Sequence, residues 1–219
     1  MSTVFRLDAS IRNEGSVSRA VASTLEAALT EDLGGATVIR REIGLTPLDS
    51  KAWALSAFSR YVPVEQRSPE QAEAIALATT LADELVAADA HVFAVPLYNW
   101  GVSQHMKTWV DLVLTDPRLA SGAPSAIVGR PAFLVTVRGG GYGPGTPREG
   151  WDHSTAWLRR ILVDVWGLDL QIIEAELTLA EVTPAMADLR ELAAVQLEEA
   201  HSAAHKHGKG LAVVLGAAS

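Results

Sequence analysis

The chain has 219 residues, 48% apolar and 20% charged, a size and composition that suit one compact domain, expected over residues 1–219, with a substantial core. Its 26 acidic residues against 18 basic ones give a formal charge of −8 with no long basic block, which argues against nucleic acid as the main partner. With no cysteine, thiolate metal sites, iron–sulfur clusters and cysteine nucleophiles are excluded, and no apolar run reaches the ~20 residues of a membrane span, so a cytoplasmic protein whose redox chemistry comes from a cofactor is expected.

Apolar or β-branched runs alternate with longer helical patterns. A first strand is expected over residues 3–9, followed by a hydroxyl-rich loop and a helix over 16–33 patterned by Val21, Leu25 and Ala28. A second strand follows over 37–43. Residues 45–68 are too many for an ordinary connection, and Trp53, Phe58, Tyr61 and Pro63 point to a structured excursion or a subunit contact. A helix over 69–87 and a strand over 90–96 come next. Val102, Met106, Trp109, Val110 and Val113 repeat with helical period over 103–114. The remaining elements are a strand over 132–137, a helix over 151–165, a strand over 168–176 and a helix over 184–205, the last with Thr183 placed to cap and Pro184 in its first position.

Strands that alternate with helices through right-handed crossovers give an α/β, doubly wound parallel sheet with helices on both faces. Five strands favour the flavodoxin-like order 2-1-3-4-5. The strands over 90–96 and 132–137 are apolar almost throughout, as central parallel strands must be. In that order the switch point lies between the first and third strands, so loops beginning at Ser10, Pro96 and Arg138 converge there.

The first of these loops has neither the Gly-x-Gly-x-x-Gly pattern of a dinucleotide fold nor the Gly-x-x-x-x-Gly-Lys-Ser/Thr pattern of a nucleoside-triphosphatase. It offers Ser10, Ser16 and Ser18 with Arg12 and Arg19 nearby, a set suited to phosphate. A helix terminus contributes about 0.3–1 kcal/mol to an anion, while each hydrogen bond to a charged group contributes roughly 1.5–3, so the serines must outweigh the dipole. The same serines also suit helix capping and loop filling. The second loop, Pro96-Leu97-Tyr98-Asn99-Trp100-Gly101, holds two aromatics that suit either a planar ligand or an aromatic turn packed into the fold. The third, Arg138-Gly139-Gly140-Gly141, lets backbone approach a flat ligand, with Arg138 adding positive charge, or else is a flexible surface loop.

Taken together, Ser10, Ser16-Val17-Ser18, Pro96 to Gly101, Arg138-Gly139-Gly140, the Lys107, Trp109 and Asp111 of the following helix, Asp152-His153, Leu158-Arg159 and Gly167 resemble the FMN-dependent NADH-azoreductase and quinone reductase family over most of the chain. The resemblance implies a homodimer with bound FMN, NADH or NADPH as hydride donor, and ping-pong two-electron reduction of quinones and azo compounds. It implies that Ser10, Ser16, Val17 and Ser18 hold the phosphate, and that Pro96, Leu97, Tyr98, Asn99 and Trp100 form the platform with Asn99 near the flavin N5. It further implies that Arg138, Gly139 and Gly140 stabilise the reduced ring at its carbonyl edge. Residues 117–130 and 143–149 lie where substrate is covered in that family.

Tyr98, Asn99 and His153 are the candidate catalytic residues; a histidine titrates near neutrality and could give a proton to the acceptor, though His153 beside Asp152 also suits a capping or interface role. His201 and His205 share a helical face and His207 follows, but no third ligand is evident and no metal site is expected. Trp109, Trp157 and Trp166 have spacings suited to core or dimer packing. Two rivals remain: a serine hydrolase using Ser10 with Asp152-His153, which lacks the Gly-x-Ser-x-Gly elbow, and a flavin-holding electron carrier without turnover.

Overall fold

The computed structural model describes residues 2–217. Its five strands, β1 (Thr3–Asp8), β2 (Thr37–Glu42), β3 (Ala90–Pro96), β4 (Pro131–Val137) and β5 (Asp169–Ala175), form one parallel sheet in the order β2-β1-β3-β4-β5. All seven residues of β3 are buried, and the strand is paired on both edges, with Phe93 level with Leu7 of β1 and Leu134 of β4. Because side chains alternate across a strand, the pleat sorts the core into two layers. Phe5, Leu7, Phe93, Val95 and Leu134 face α2 (Lys51–Ser59), α3 (Pro69–Ala87) and α4 (Gln104–Val113); Val4, Val92, Ala94 and Val135 face α1 (Val17–Asp32) and α6 (Arg190–Ala217).

Local signals fix several boundaries. At the start of α3, Ser68 Oγ accepts from Gln71 N at 3.2 Å while Gln71 Oε1 accepts from Ser68 N at 3.0 Å, a capping box with Pro69 in the first turn. Ser103 Oγ caps α4 by accepting from Met106 N. The 45–68 excursion is structured: α2 packs on α3 and α4, a 3-10 turn spans Val64–Gln66, and Trp53, Phe58 and Tyr61 stay exposed.

Three boundaries differ from expectation. The helix expected over 151–165 starts at Thr155, because Asp152 Oδ1 accepts from the amides of Ser154 and Thr155 and leaves 151–153 as loop. After the short α5 (Thr155–Arg159) it widens into a π-helical turn over Arg160–Val165, beyond which the Trp166 indole N–H donates to Leu119 O at 3.0 Å. The last helix opens as a 3-10 turn over Pro184–Leu189, broken at Met186, and Thr183 makes no side-chain cap. It then continues as α6 to Ala217, since Gly208 is pressed onto α1, where a Cβ would stand 2.4 Å from Leu25 O.

His91 of β3 is fully buried; Nε2 lies 3.0 Å from Leu85 O, and Nδ1 has no partner among the described residues. Burial is the main reason its pKa is pushed down to about 4. The unfolded chain therefore takes up this proton before the folded one does, and stability falls as pH drops from about 6.5 toward 4, by about 3 kcal/mol in all. Urea unfolding should show wild type losing roughly 2 kcal/mol more than His91→Leu between pH 7 and pH 5. Parallel losses in the two proteins would remove His91 from this role.

Candidate active site at the strand ends

Pairing continues one residue past the three central strands, with Ala9 N donating to Ala94 O, Leu97 N to Val137 O and Arg138 N to Ala175 O at 2.9–3.0 Å. The loops beginning at Ser10, Pro96 and Arg138 therefore leave the sheet level with one another, and they enclose a solvent-open groove. Of the residues singled out by sequence, Ser10, Ser16, Val17, Ser18, Pro96, Leu97, Tyr98 and Gly139 line it. Asn99, Trp100, Arg138, Gly140 and His153 do not.

The first loop presents three hydroxyls and the Arg12 side chain. Ser10, Ser16 and Ser18 are all buried, and Ser16 sits at the N-cap of α1 without making a capping bond. Ser16 Oγ and Ser18 Oγ stand 3.4 Å apart, while Ser10 Oγ accepts from Arg12 N and lies 3.3 Å from Tyr98 Oη. The first-turn amides of α1 have no partner within the helix, so the capping alternative for Ser16 fails and a donor set for a phosphate ester remains. Arg12 lines the groove, whereas the Arg19 guanidinium is held by both carboxylate oxygens of Glu42 and lends the groove no free charge.

The second loop is a two-residue turn in which Asn99 (φ 48°) and Trp100 (φ 62°) both take left-handed backbone, closed by Gly101 N donating to Tyr98 O at 3.0 Å. Asparagine tolerates this conformation; tryptophan is strained in it by roughly 1–3 kcal/mol. Neighbours hold it there: His153 N donates to Trp100 O at 3.0 Å, and the Trp100 and Trp151 rings meet edge to face at 5.8 Å. The platform expected of residues 96–100 is thus divided. Pro96, Leu97 and Tyr98 wall the groove, Asn99 faces an adjoining recess shared with Tyr98, Ile11 and His105, and Trp100 is half exposed at the rim. His153 is exposed beside that rim.

The third loop is shaped by a segment that sequence reasoning missed. The amides of Thr178, Leu179 and Leu177 donate to the carbonyls of Arg138, Gly139 and Gly140 at 3.1–3.3 Å. The Gly139 and Gly140 amides make no hydrogen bond among the described residues and stay available to an acceptor. Leu179 lies so close that a Cβ on Gly139 would fall 2.6 Å from its Cδ1, and it lines the groove with Thr178. The only available signal was positional: β5 neighbours β4, so the loop after β5 abuts the loop after β4.

Arg138 corrects an expectation. Its buried guanidinium donates to Asp152 Oδ2 at 2.8 Å, Glu174 Oε1 at 2.7 Å, Glu176 Oε1 at 3.2 Å and Thr155 Oγ1 at 3.1 Å. Three carboxylates balance its charge, so it supplies no positive charge to a ligand and instead ties the loop after β4 to β5 and α5. Burial alone would raise the Asp152 carboxyl, but the donors Thr155 and Ser154 together with Arg138 outweigh it and hold Asp152 below the usual aspartate range. This also removes the hydrolase: Asp152 is fully engaged, and the partners of Ser10 Oγ are Tyr98 and Arg12 N, with no histidine among them. His201 Nδ1 pairs with Thr24 Oγ1 at 2.8 Å, and His207 packs on Phe133.

A family model described as flavodoxin-like fold matches residues 2–199. An FMN-dependent NADH:quinone oxidoreductase of Frankia casuarinae is 37% identical over 206 residues, covering 93% of this chain and 97% of that protein. One of the same name from Streptomyces coelicolor is 37% identical over 215 residues, covering 96% of each. In fold, the chain resembles an FMN-dependent NADH-azoreductase from Bacillus anthracis solved in complex with FMN, at a TM-score of 0.75 and 16% identity over 97% of this chain and 100% of that one.

Breaking a buried ion pair by removing one partner typically costs ~3–5 kcal/mol. Since the Glu174 side chain is 49% exposed and can rehydrate, Arg138→Met should fall near the low end, about 3 kcal/mol in urea unfolding. A loss below about 1 kcal/mol would show that the network does not hold the third loop.

Proposed function

Because this chain belongs to the FMN-dependent NADH:quinone oxidoreductase family of the flavodoxin-like fold, we propose that it is an FMN-dependent NAD(P)H oxidoreductase that reduces quinones and azo compounds by ping-pong two-electron transfer. The observation that carries this reading is the convergence of three loops on one groove, with buried hydroxyls at one end and unpaired glycine amides at the other. Bound FMN would supply the two-electron redox chemistry that links the nicotinamide to the acceptor.

The residues supply binding, orientation and proton control. Ser10, Ser16 and Ser18 with the amide of Val17 hold the phosphate, where short-range donors replace lost hydration. Pro96, Leu97 and Tyr98 give the planar ring an apolar wall, and the Gly139 and Gly140 amides meet its carbonyl edge. Tyr98 spans both ends, since its ring walls the groove and its Oη reaches Ser10. Asn99 and Trp100 border the space where donor and acceptor take turns, and His153, exposed beside Trp100, is placed to give the acceptor a proton.

The assembly in this reading is a homodimer that covers the rim, where Trp100 and Trp151 are each about half exposed. No described helix is long and apolar enough to cross a membrane. In this reading the reaction runs in the cytoplasm, in keeping with a nicotinamide as hydride donor.

Purified protein should take up FMN and turn yellow, bleach under anaerobic NADH, and regain colour on adding one equivalent of benzoquinone. A protein that remains colourless with added FMN overturns the assignment, and reoxidation only by one-electron acceptors favours the carrier. Replacing Ser16 and Ser18 together by alanine removes two hydrogen bonds to a charged group, so FMN retention should fall about 100-fold or more. His153→Ala should keep its FMN while slowing quinone reduction. Equal retention in the two variants would sink the phosphate-loop assignment.

A further inference from the structure

Arg19 stands in the first turn of α1, beside the phosphate end of the groove, yet its charge is already spent on Glu42. Its remaining hydrogen bonds run to the chain rather than to the groove. Nη2 donates to Ser10 O at 2.8 Å and Nε donates to Arg12 O at 3.0 Å, so one guanidinium takes two carbonyls of the same loop. In a planar trans peptide the carbonyl of one residue and the N–H of the next point in opposite directions. Fixing the Ser10 and Arg12 carbonyls toward Arg19 therefore turns the Ile11 and Asn13 amides the other way. The Ile11 amide donates to Tyr98 Oη at 3.3 Å, on a side chain that lines the groove.

Glu42 fixes the arginine in turn. Both of its oxygens accept from the guanidinium, and Oε1 also accepts from Gly44 N at 2.8 Å and Leu45 N at 3.0 Å. The same turn presses on the loop from below, because a Cβ on Gly44 would lie 2.0 Å from Ser10 O. Asp8 lies 3.9 Å from Arg19 Nη1, and Arg6, itself paired with Asp8 and Glu26, donates to Arg19 O at 3.2 Å. The cation is over-balanced by carboxylates and held from several sides, which is the arrangement of a brace and not of an anion ligand.

We propose that Arg19, locked by Glu42, is a positioning residue that holds residues 10–13 with the Ser10 and Arg12 carbonyls turned from the groove and the Ser10 and Arg12 side chains kept along it, and so gives the groove its preference for a phosphorylated flavin. This rests on the FMN reading above. The brace acts directly on the phosphate end, since none of the bonds of Arg19 or Glu42 reaches Pro96, Leu97 or Gly139, and it meets the ring wall only through the bonds of Ser10 and Ile11 to the Tyr98 hydroxyl.

The test compares FMN with riboflavin, which carries the same ring and no phosphate, by quenching of flavin fluorescence on apoprotein of wild type, Glu42→Gln and Arg19→Lys. Wild type should bind FMN far more tightly than riboflavin. Both variants should lose about tenfold to a hundredfold in FMN affinity, the range that supporting partners command at other preorganised sites, with riboflavin affinity changed less than about twofold. Glu42→Gln keeps an acceptor for Gly44 and Leu45 and guards against a variant that merely fails to fold, which the melting temperature monitors. Unchanged FMN preference in folded variants overturns the proposal, and so does equal weakening of both flavins, the mark of general damage. Wild type that binds neither flavin overturns the FMN reading itself.

Discussion

Every loop of the groove takes its position from the pairing of β3. A strand buried on both faces can satisfy its backbone only through its two neighbours, and an unpaired amide there would cost about 1–3 kcal/mol. Register with β1 and β4 is thereby fixed, and with it the level at which three chains leave the sheet. The pleat then assigns each side chain to a layer, so the helices that cover the sheet also carry the start of α1 to the mouth of the first loop. The site follows from sheet hydrogen bonding before any of its own side chains act.

Two of the three loops are conditioned by the same device. Around residues 138–140 the carbonyls are taken by backbone amides of 177–179; around residues 10–12 they are taken by a guanidinium. In each case carbonyls are withdrawn from the groove, and at Gly139 and Gly140 the amides are left unpaired among the described residues. Arg19 and Arg138, each beside one of these loops, are both compensated by carboxylates and serve as internal braces. That is consistent with a chain of formal charge −8 offering an anion a pocket, since local dipoles can oppose the sign of the whole molecule.

What could be read from sequence was local or periodic. The central strands announce themselves by unbroken apolar character, α4 by the helical period of Val102, Met106, Trp109, Val110 and Val113, and the proposed phosphate end by three serines between a strand and a helix. What could not be read depends on partners far along the chain. Arg138 looks like a free cation until Glu174 and Glu176, 36 and 38 residues away, are brought beside it by β5. Gly208 and Gly210 look like the end of a helix, yet α6 runs through both because the missing side chain at 208 lets it touch α1. Leu179 had no local signal at all, and the π-helical turn after Arg159 none in composition.

The turn at Asn99 and Trp100 has an evolutionary reading. Glycine in place of Trp100 would fit the left-handed backbone without strain, so the turn carries a local cost that the simplest alternative would not. A protein that retains such a corner holds stability in reserve, recoverable by one substitution at the cost of whatever the indole does at the rim.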